Sequence, residues 1–222
     1  MDLRFYQRSA YRYGIGATLF HAAYRAAQRV TNLAVWKALV VTPDHLDKRF
    51  LADPRRATGR MLDAECLRAY AKTAETRLTD RFIDEAAVRG DRCFAFFDGD
   101  RLTSYGWYST RAVRLTELDE SLALHFDPRY AYVHNTYTLP QYRGRRLHAI
   151  GMTAALEAHA EQGLTGLVAY VDSANFASLR SCHRMGYRDF GHVVVLDLGH
   201  RYACRATLGC EPYGFRVAPL AS

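Results

Sequence analysis

Apolar residues recur every three or four positions in five stretches of the chain, which is the spacing of one face of an α-helix. The first such stripe consists of Ile15, Leu19, Ala23, Ala27 and Val30. Gly90, Gly163 and Gly186 follow three of the later stretches, and glycine commonly ends a helix in this way. The pattern predicts helices near residues 14–31, 61–73, 79–89, 146–162 and 175–185.

Between these helices, short runs rich in aromatic and β-branched residues predict β-strands. The sequence Asp98-Gly99-Asp100 separates two of the runs and is typical of a hairpin turn. Pro140 ends the longest run. The predicted strands cover residues 35–41, 93–97, 102–108, 121–126, 130–139, 165–171 and 187–196, and a last strand or hairpin is expected within 199–219.

The order of these elements is helices, then an antiparallel meander, then strand-helix-strand-helix-strand. This order predicts one domain over residues 1–222, of the α+β or mixed α/β class. We expect a central, mostly antiparallel sheet flanked by helices, with one parallel crossover between the strands at 130 and 165. The first helix is then an extra N-terminal extension, covering about residues 1–34.

Composition narrows the class of protein. The 222 residues are 49% hydrophobic and 24% charged, as in ordinary globular domains. The 5 cysteines form no Cys-x-x-Cys motif, so neither disulfides nor a metal site is expected. No run approaches the roughly 18 apolar residues of a membrane helix, and the N-terminus lacks the apolar core of a signal peptide. We therefore expect a cytoplasmic protein without stable membrane insertion.

The formal net charge of +7 favours an acidic partner. The basic residues are dispersed, with no arginine-rich tail and no zinc-finger spacing, so nucleic acid is not the expected partner. A polyphosphate cofactor and an acidic carrier protein both fit this charge.

The segment at residues 130–162 carries the most informative motif. Its strand is followed by the turn Gln-Tyr-Arg-Gly-Arg-Arg at residues 141–146, and then by a helix. Free N–H groups and the macrodipole at a helix N-terminus favour an anion. Guanidinium groups match phosphate oxygens, and Gly144 permits close approach of the backbone. The turn therefore predicts a phosphate-binding site, the alternative being a solvated basic turn without a ligand.

Two elements of the chain resemble the acyl-CoA-dependent N-acyltransferases of the GNAT superfamily. The run from Leu139 through Arg143-Gly144 to Leu147 is similar to the family's coenzyme A pyrophosphate loop, Arg/Gln-x-x-Gly-x-Gly/Ala. The second element is a strand, a helix led by Asn175, and the pair Gly186-Tyr187. The resemblance is specific over residues 130–196 and implies acetyl-CoA or another acyl-CoA as cofactor.

The resemblance also implies a set of cofactor-binding residues on the strand end, the turn and the later helix. The set consists of Tyr137, Thr138, Leu139, Arg143, Gly144, Arg145, Arg146, Leu147, His148 and Asn175. If Arg143 opens the family pattern, Arg146 and His148 stand where the family has small residues. Their side chains must then point away from the phosphates or contact them. A backbone N–H within residues 137–139 is expected to hold the thioester carbonyl.

The reaction that the resemblance implies is direct transfer of an acyl group, expected to be acetyl, to the primary amine of a small molecule. The amine must lose a proton in this reaction. Strand alternation places Tyr132, His134, Thr136 and Thr138 on one face, and histidine is the residue type among them that ordinarily titrates near neutrality. His134 is therefore the predicted base, the alternative being a structural histidine.

Cys182 is the predicted acid for the departing thiolate. Many family members carry a tyrosine seven residues after the asparagine that leads the second helix, and Cys182 occupies that position after Asn175. The alternative is a small buried hydrophobic residue. A covalent route through Cys182 with His134 or His183 is not favoured, because the sequence contains no nucleophile loop.

Two other functions stay open from the sequence. Relatives of this fold make N-acyl amino acids or acyl-homoserine lactones from long acyl chains on an acidic carrier protein, which the charge and the extra helix would fit. A non-catalytic acyl-CoA sensor would account for the departures at Arg146, His148 and Cys182.

Overall fold

The computed structural model describes residues 14–28, 30–31, 33–116, 118–199 and 201–220. The helices of these ranges are α1 (Ile15–Gln28), α2 (Arg68–Ala71), α3 (Asp80–Arg89), α4 (Leu147–Glu161) and α5 (Phe176–Arg184). The strands are β1 (Leu33–Val41), β2 (Gly59–Asp63), β3 (Arg92–Asp98), β4 (Arg101–Ser109), β5 (Val113–Arg114), β6 (Leu122–His125), β7 (Tyr130–Thr138), β8 (Gly166–Asp172), β9 (Arg188–Asp197), β10 (Tyr202–Ala206) and β11 (Arg216–Pro219).

The main sheet has the strand order β10-β9-β1-β8-β7-β4-β3-β2, and β11, β6 and β5 form a second, smaller sheet. The pairing of β7 with β8 is parallel, and the other neighbours in the two sheets are antiparallel. The helix α4 makes the crossover between β7 and β8. The predicted fold class, a mixed sheet with one parallel crossover, is confirmed.

The strand β1 is an interior strand of the main sheet, because it pairs with β8 on one side and β9 on the other. Tyr24 ties α1 to this region: its hydroxyl accepts a hydrogen bond from Val35 N at 2.8 Å and donates to Asp172 Oδ2 at 3.2 Å. Leu33 and Ala34, which the prediction included in the N-terminal extension, belong to β1. Residues 1–13 of that extension lie outside the described residues.

Side-chain alternation divides the core between the two faces of the main sheet. In β1, Leu39 and Val41 join the cluster that packs against α4, whereas Ala38 and Val40 join the cluster beneath the smaller sheet. A third cluster, around Trp107, packs β3 and β4 against α3. The main sheet is thus covered by α4 and α5 on one face and by the smaller sheet and α3 on the other.

Two predicted elements differ from the structure. Residues 59–63 form the edge strand β2 rather than the start of a helix over 61–73, and only 68–71 are α-helical. The strand forms because Met61 pairs with Phe94 across the sheet, and Gly59 leaves room for the Phe94 ring, which a Cβ would approach to 2.4 Å. The tail forms β10 and β11, which pair with different partners instead of forming one hairpin.

His159 on α4 predicts a loss of stability in acid. It is 2% exposed, and burial, assisted by the charge of Arg92, lowers its pKa from 6.5 to about 4. Between those two pH values the unfolded chain binds a proton that the folded chain excludes, so stability falls as the pH falls. The contribution is at most about 3 kcal/mol, at 1.36 kcal/mol per pKa unit.

We expect His159→Leu to weaken this acid sensitivity. Urea unfolding at pH 7 and at pH 4.5 measures it, because the drop in unfolding free energy between the two should be smaller in the variant. His45→Gln, which removes an exposed imidazole, is the control and should keep the drop of the wild type. An equal drop in wild type and His159→Leu would contradict the assignment.

Candidate active site

A cleft opens where β7 and β8 separate. The two strands pair only from Tyr130 and Gly166 to Tyr132 and Val168. Beyond these residues β7 follows β4 and β8 follows β1, and a space of about 610 Å³ lies between them. Residues of α3, β7, β8 and α5 line it, together with the first turn of α4 and residues 113–116. The cleft therefore reaches both faces of the sheet.

A β-bulge in β7 lies at the point of separation. Trp107 pairs with His134 and Tyr105 pairs with Tyr137, so two residues of β7 stand opposite one residue of β4. One of the two, Asn135, has a φ of 40°, a left-handed conformation that asparagine tolerates better than most residues. The bulge turns the β7 backbone away from β8.

The bulge also reverses the side-chain alternation predicted for β7. A Cβ on Gly106 would lie 3.4 Å from Thr136 Cγ2 and 3.3 Å from the hydroxyl of Tyr108, which belongs to the cluster on the α4 face. His134 instead lies beside the ring of Phe82, on the α3 face. The predicted common face of His134 and Thr136 is therefore wrong, because it assumed a regular strand.

The turn at residues 141–146 leads into an uncapped helix N-terminus. Gly144 and Arg146 have φ values of 79° and 61°. Ile150 N donates to Arg146 O at 3.1 Å, but the Arg146 side chain does not cap α4. The amides of residues 147–149 therefore have no intrahelical acceptor and can bind an anion. If Gln141 is the first residue of the family pattern, Arg146 stands at its final position, where the family has glycine or alanine. The left-handed backbone at Arg146 is one that favours glycine.

A second cavity, of about 390 Å³, adjoins this turn. Its lining consists of Arg49, Phe50, Arg146, His148, Ala149, Ser181, Arg184 and Met185. His148, Ser181 and Met185 also line the cleft, so the two spaces meet at these residues. The three arginines make this cavity basic, as phosphate groups require. Of the two residues that depart from the family pattern, Arg146 lines this cavity and His148 lines both spaces.

The other residues of the turn are held by contacts within the chain. Arg143 Nε donates to Thr138 O at 3.2 Å, and the Arg145 guanidinium lies 4.8 Å from the centre of the Tyr142 ring. Arg55 Nη1 donates to Arg145 O at 2.6 Å. These contacts fix the backbone of the turn before any ligand binds.

His148 differs from the arginines in charge. It lines both cavities as the second residue of α4, and burial lowers the pKa of its imidazole. A lowered pKa keeps the ring neutral at pH 7. His148 therefore adds a hydrogen-bonding side chain, and no charge, at the junction of the two cavities.

Among the predicted residues at the end of β7, Thr138 has its amide on the open edge of the strand. Leu139 N donates to Thr103 O at 2.9 Å, so it is not available to a ligand, and its side chain is 2% exposed. Successive residues of a strand direct their amides to opposite edges, which turns Thr138 N toward the separated edge of β7. The ring of Tyr137 packs on Tyr105, 6.1 Å between ring centres.

His134 lies beside a buried carboxylate that the sequence did not indicate. Its Nε2 is 3.2 Å from Asp91 Oδ2, and the side chains are 8% and 0% exposed. The two atoms are at ion-pair distance without the geometry of a hydrogen bond. The carboxylate occupies the Nε2 side of the ring, which leaves Nδ1 as the nitrogen available to a substrate. The arrangement can hold the ring and stabilise its protonated form.

Asp91 remains an anion in spite of its burial. Burial by itself raises its pKa, but the nearby His134 and Arg89 outweigh that effect and hold the pKa below the ordinary value. Arg89 Nη2 and Nε lie 2.7 and 3.1 Å from Asp91 Oδ2. Asp91 directly follows Gly90, whose φ of 75° ends α3. The helix end thus places the carboxylate against β7.

Cys182 also lines the cleft, on the α5 side. Burial, with a further contribution from Asp189, raises the pKa of its thiol to about 11. The thiol is therefore protonated at neutral pH, with an acidity near that of a tyrosine, whose ordinary pKa is about 10. This state suits a proton donor and disfavours a thiolate nucleophile.

Asn175 has a structural role in addition to lining the cleft. Its side chain accepts a hydrogen bond from Ser178 N at 3.1 Å and so caps the N-terminus of α5. The cap fixes the start of the helix that carries Ser181, Cys182 and Met185 toward the cleft.

Comparison with known proteins identifies the family. The model of the acetyltransferase (GNAT) family matches residues 60–187, and the chain belongs to this family. The general reaction of the family is acyl transfer from coenzyme A to an amine. No curated protein matches the sequence.

Solved structures show the same fold at low sequence identity. A GCN5-related N-acetyltransferase from Sphaerobacter thermophilus is 10% identical with a TM-score of 0.51, and the match covers 84% of this chain and 56% of that one. A GNAT-family acetyltransferase from Colwellia psychrerythraea is 14% identical with a TM-score of 0.50, covering 78% and 60%. The chain thus spans less than two thirds of the length of either structure.

The described residues contain neither a candidate metal site nor a candidate membrane-spanning helix. No group of three or more histidine, cysteine or acidic side chains there could hold a metal ion. In the same residues, no helix has the length and apolar character needed to cross a membrane.

Binding of acetyl-CoA should depend on Gly144. A Cβ at this position would meet nothing within 4 Å, so a side chain added there projects into open space beside the α4 N-terminus. We expect Gly144→Glu to abolish detectable binding in calorimetry, because its carboxylate repels the pyrophosphate.

Gly144→Asn is the matched control, because asparagine tolerates the left-handed backbone and adds no charge. It should keep most of the affinity of the wild type. Circular dichroism establishes that both variants fold. Unchanged affinity in a folded Gly144→Glu variant would exclude the turn as the phosphate site.

Proposed function

We propose that the protein transfers an acetyl group from acetyl-CoA to the primary amine of a small molecule by direct attack. The observation that carries the proposal is the cleft between β7 and β8. An uncapped helix N-terminus with a basic cavity lies at one end of it, and a histidine backed by a buried carboxylate lies at the other.

The phosphates of the cofactor would be held by the amides of residues 147–149 with Arg146 and Arg184. The amide of Thr138 is the proposed donor to the thioester carbonyl, because it faces the open edge of β7. A donor fixed in advance at that oxygen stabilises the charge that develops there. Acetyl-CoA, when bound, supplies the acetyl group as a thioester, so that a C–N bond forms and the C–S bond breaks.

Two side chains of the protein move the protons. His134 accepts the proton of the attacking amine at Nδ1, and Asp91 stabilises the imidazolium that results. Cys182 donates its thiol proton to the departing sulfur. With a pKa of about 11 the Cys182 thiol is protonated at neutral pH, so it carries the proton that it donates.

The packing beneath α4 favours acetyl over a long acyl chain. The space next to His148 on that side is filled by Phe94, Phe96, Tyr108 and Met152, which leaves about 10 Å³. A long chain would need a tunnel here or elsewhere in the core, because each added methylene requires its own volume. This packing leaves no room for a long acyl chain beneath α4.

The second candidate, a sensor that binds acyl-CoA without turnover, is less well supported. A sensor has no need for a buried carboxylate beside a cleft histidine, because burial of Asp91 costs free energy unless its partners offset it. The pair of His134 and Asp91 therefore favours an enzyme.

His134→Ala should lower turnover by roughly 100-fold, the usual scale of general-base catalysis. The assay is release of coenzyme A thiol with a panel of primary amines. Acetyl-CoA affinity should stay close to that of the wild type, because His134 lies on the α3 face, away from the phosphate cavity.

His134→Gln is a second variant for this test. It keeps a polar side chain next to Asp91 but cannot accept the proton, so its turnover should also fall. If both variants keep turnover within a few-fold of wild type, His134 is a structural residue and not the base.

Cys182→Ala should slow acetyl transfer while leaving coenzyme A affinity nearly intact, because the departing sulfur loses its proton donor. Cys182→Tyr should restore part of the rate, since the ordinary pKa of tyrosine, about 10, is close to that of this thiol. Steady-state rates and calorimetry measure the two effects.

If Cys182→Ala keeps full turnover, Cys182 is not the acid and contributes only to packing. Mass spectrometry of the wild type during turnover provides the complementary check. An acetylated Cys182 peptide would replace direct attack by a covalent route.

A further inference from the structure

Arg89 is a partly buried cation in the wall of the cleft. Its side chain is 14% exposed, and two of its nitrogens, Nε and Nη2, bond the same oxygen of Asp91 at 3.1 and 2.7 Å. Asp91 itself is fully buried. The carboxylate therefore fixes the plane and direction of the guanidinium without a ligand.

The third nitrogen of Arg89 has no hydrogen-bond acceptor among the described residues. The nearest carboxylate oxygen is Glu85 Oε2, 3.9 Å from Nη1, which is beyond hydrogen-bond length. Glu85 is held by Arg81, whose Nε donates to Oε1 at 3.0 Å. Arg89 and Glu85 both line the cleft, and Nη1 keeps a hydrogen-bonding capacity that no described residue uses.

Arg89 is also the immediate neighbour of the proposed base. Arg89 Nη2 and His134 Nε2 contact the same Oδ2 of Asp91, at 2.7 and 3.2 Å. Both residues line the cleft, so an amine that approaches His134 enters the same space as the guanidinium. Guanidinium groups match carboxylates in shape and charge.

We propose that Arg89 binds a carboxylate of the acceptor a few bonds from the attacking amine, so that the acceptors are amino acids or similar amino carboxylates. The inference rests on the proposed acetyl transfer and names its substrate class. Two acidic residues line the cleft: Glu85 lies near Arg89 without a hydrogen bond to it, and Asp172 is engaged elsewhere. Its oxygens accept hydrogen bonds from Tyr24 Oη and Ala174 N.

The test compares amino carboxylates with the same amines lacking the carboxylate. The pairs are phenylalanine with 2-phenylethylamine, leucine with isopentylamine, and β-alanine with ethylamine. Wild-type kcat/KM should favour the carboxylate of at least one pair by on the order of tenfold to a hundredfold, as expected for a hydrogen bond to a charged group. Equal rates within every pair would overturn the proposal.

Arg89→Met separates anchoring from positioning. Loss of positioning through Asp91 and His134 lowers the rates of both members of a pair together, whereas loss of the anchor lowers their ratio toward one. Arg114→Met removes a charge from an exposed side chain of the same cleft and is the matched control. If the kcat/KM ratio within a pair falls as far in Arg114→Met as in Arg89→Met, the preference comes from the overall positive potential of the cleft and not from a specific anchor.

A failure of the transferase activity itself can be recognised separately. If no amine is acetylated while acetyl-CoA binds, the proposed function fails. Calorimetry with the three amino carboxylates in the presence of coenzyme A then tests whether Arg89 binds a carboxylate, independently of turnover. Binding that Arg89→Met abolishes supports the anchor, and no binding to the wild type refutes it.

Discussion

The early separation of β7 from β8 is the constraint on which the candidate site depends. The strands pair over three residues, and the bulge at Asn135 then turns β7 toward β4, while β1 holds β8 from the other side. The approach of β1 to β8 requires glycine at position 166, where a Cβ would lie 2.4 Å from Val41 O. A sheet that would otherwise be continuous therefore contains a cleft with backbone groups free along its edge.

The two ends of this cleft are built on different electrostatic principles. The phosphate end uses exposed arginines and the uncapped amides of α4, which tolerate water and counterions. The other end uses buried groups: Asp91 stays ionised only because Arg89 and His134 lie against it. Removal of one partner there leaves a buried charge unbalanced, which is far more costly than loss of an exposed arginine.

The parts of the site that are local in sequence were predictable. Pro140, Gly144 and the arginines predict the turn at 141–146 and the helix after it. The structure places an uncapped helix N-terminus there. The long strand and the crossover were predictable for the same reason, whereas Cys182 was assigned only from its position in the family resemblance.

Contacts between distant segments were not predictable from one sequence. Asp91 and Arg89 come from the end of α3, and nothing in their neighbourhood indicates a partner on β7. The bulge at Asn135 was missed because a periodicity of two assumes a regular strand, which placed Thr136 on the wrong face. The sequence predicts residues 61–63 of β2 as the start of a helix, because the pairing of Met61 with Phe94 is a tertiary contact.

The proposed function requires that one cleft joins the phosphate site to the proposed base, His134, and the proposed acid, Cys182. A crystal structure of the protein with bound coenzyme A tests it most directly. The account predicts the pyrophosphate against the amides of residues 147–149 and the thiol in the cleft between His134 and Cys182. Density for the pyrophosphate elsewhere, or a thiol outside the cleft, would contradict it.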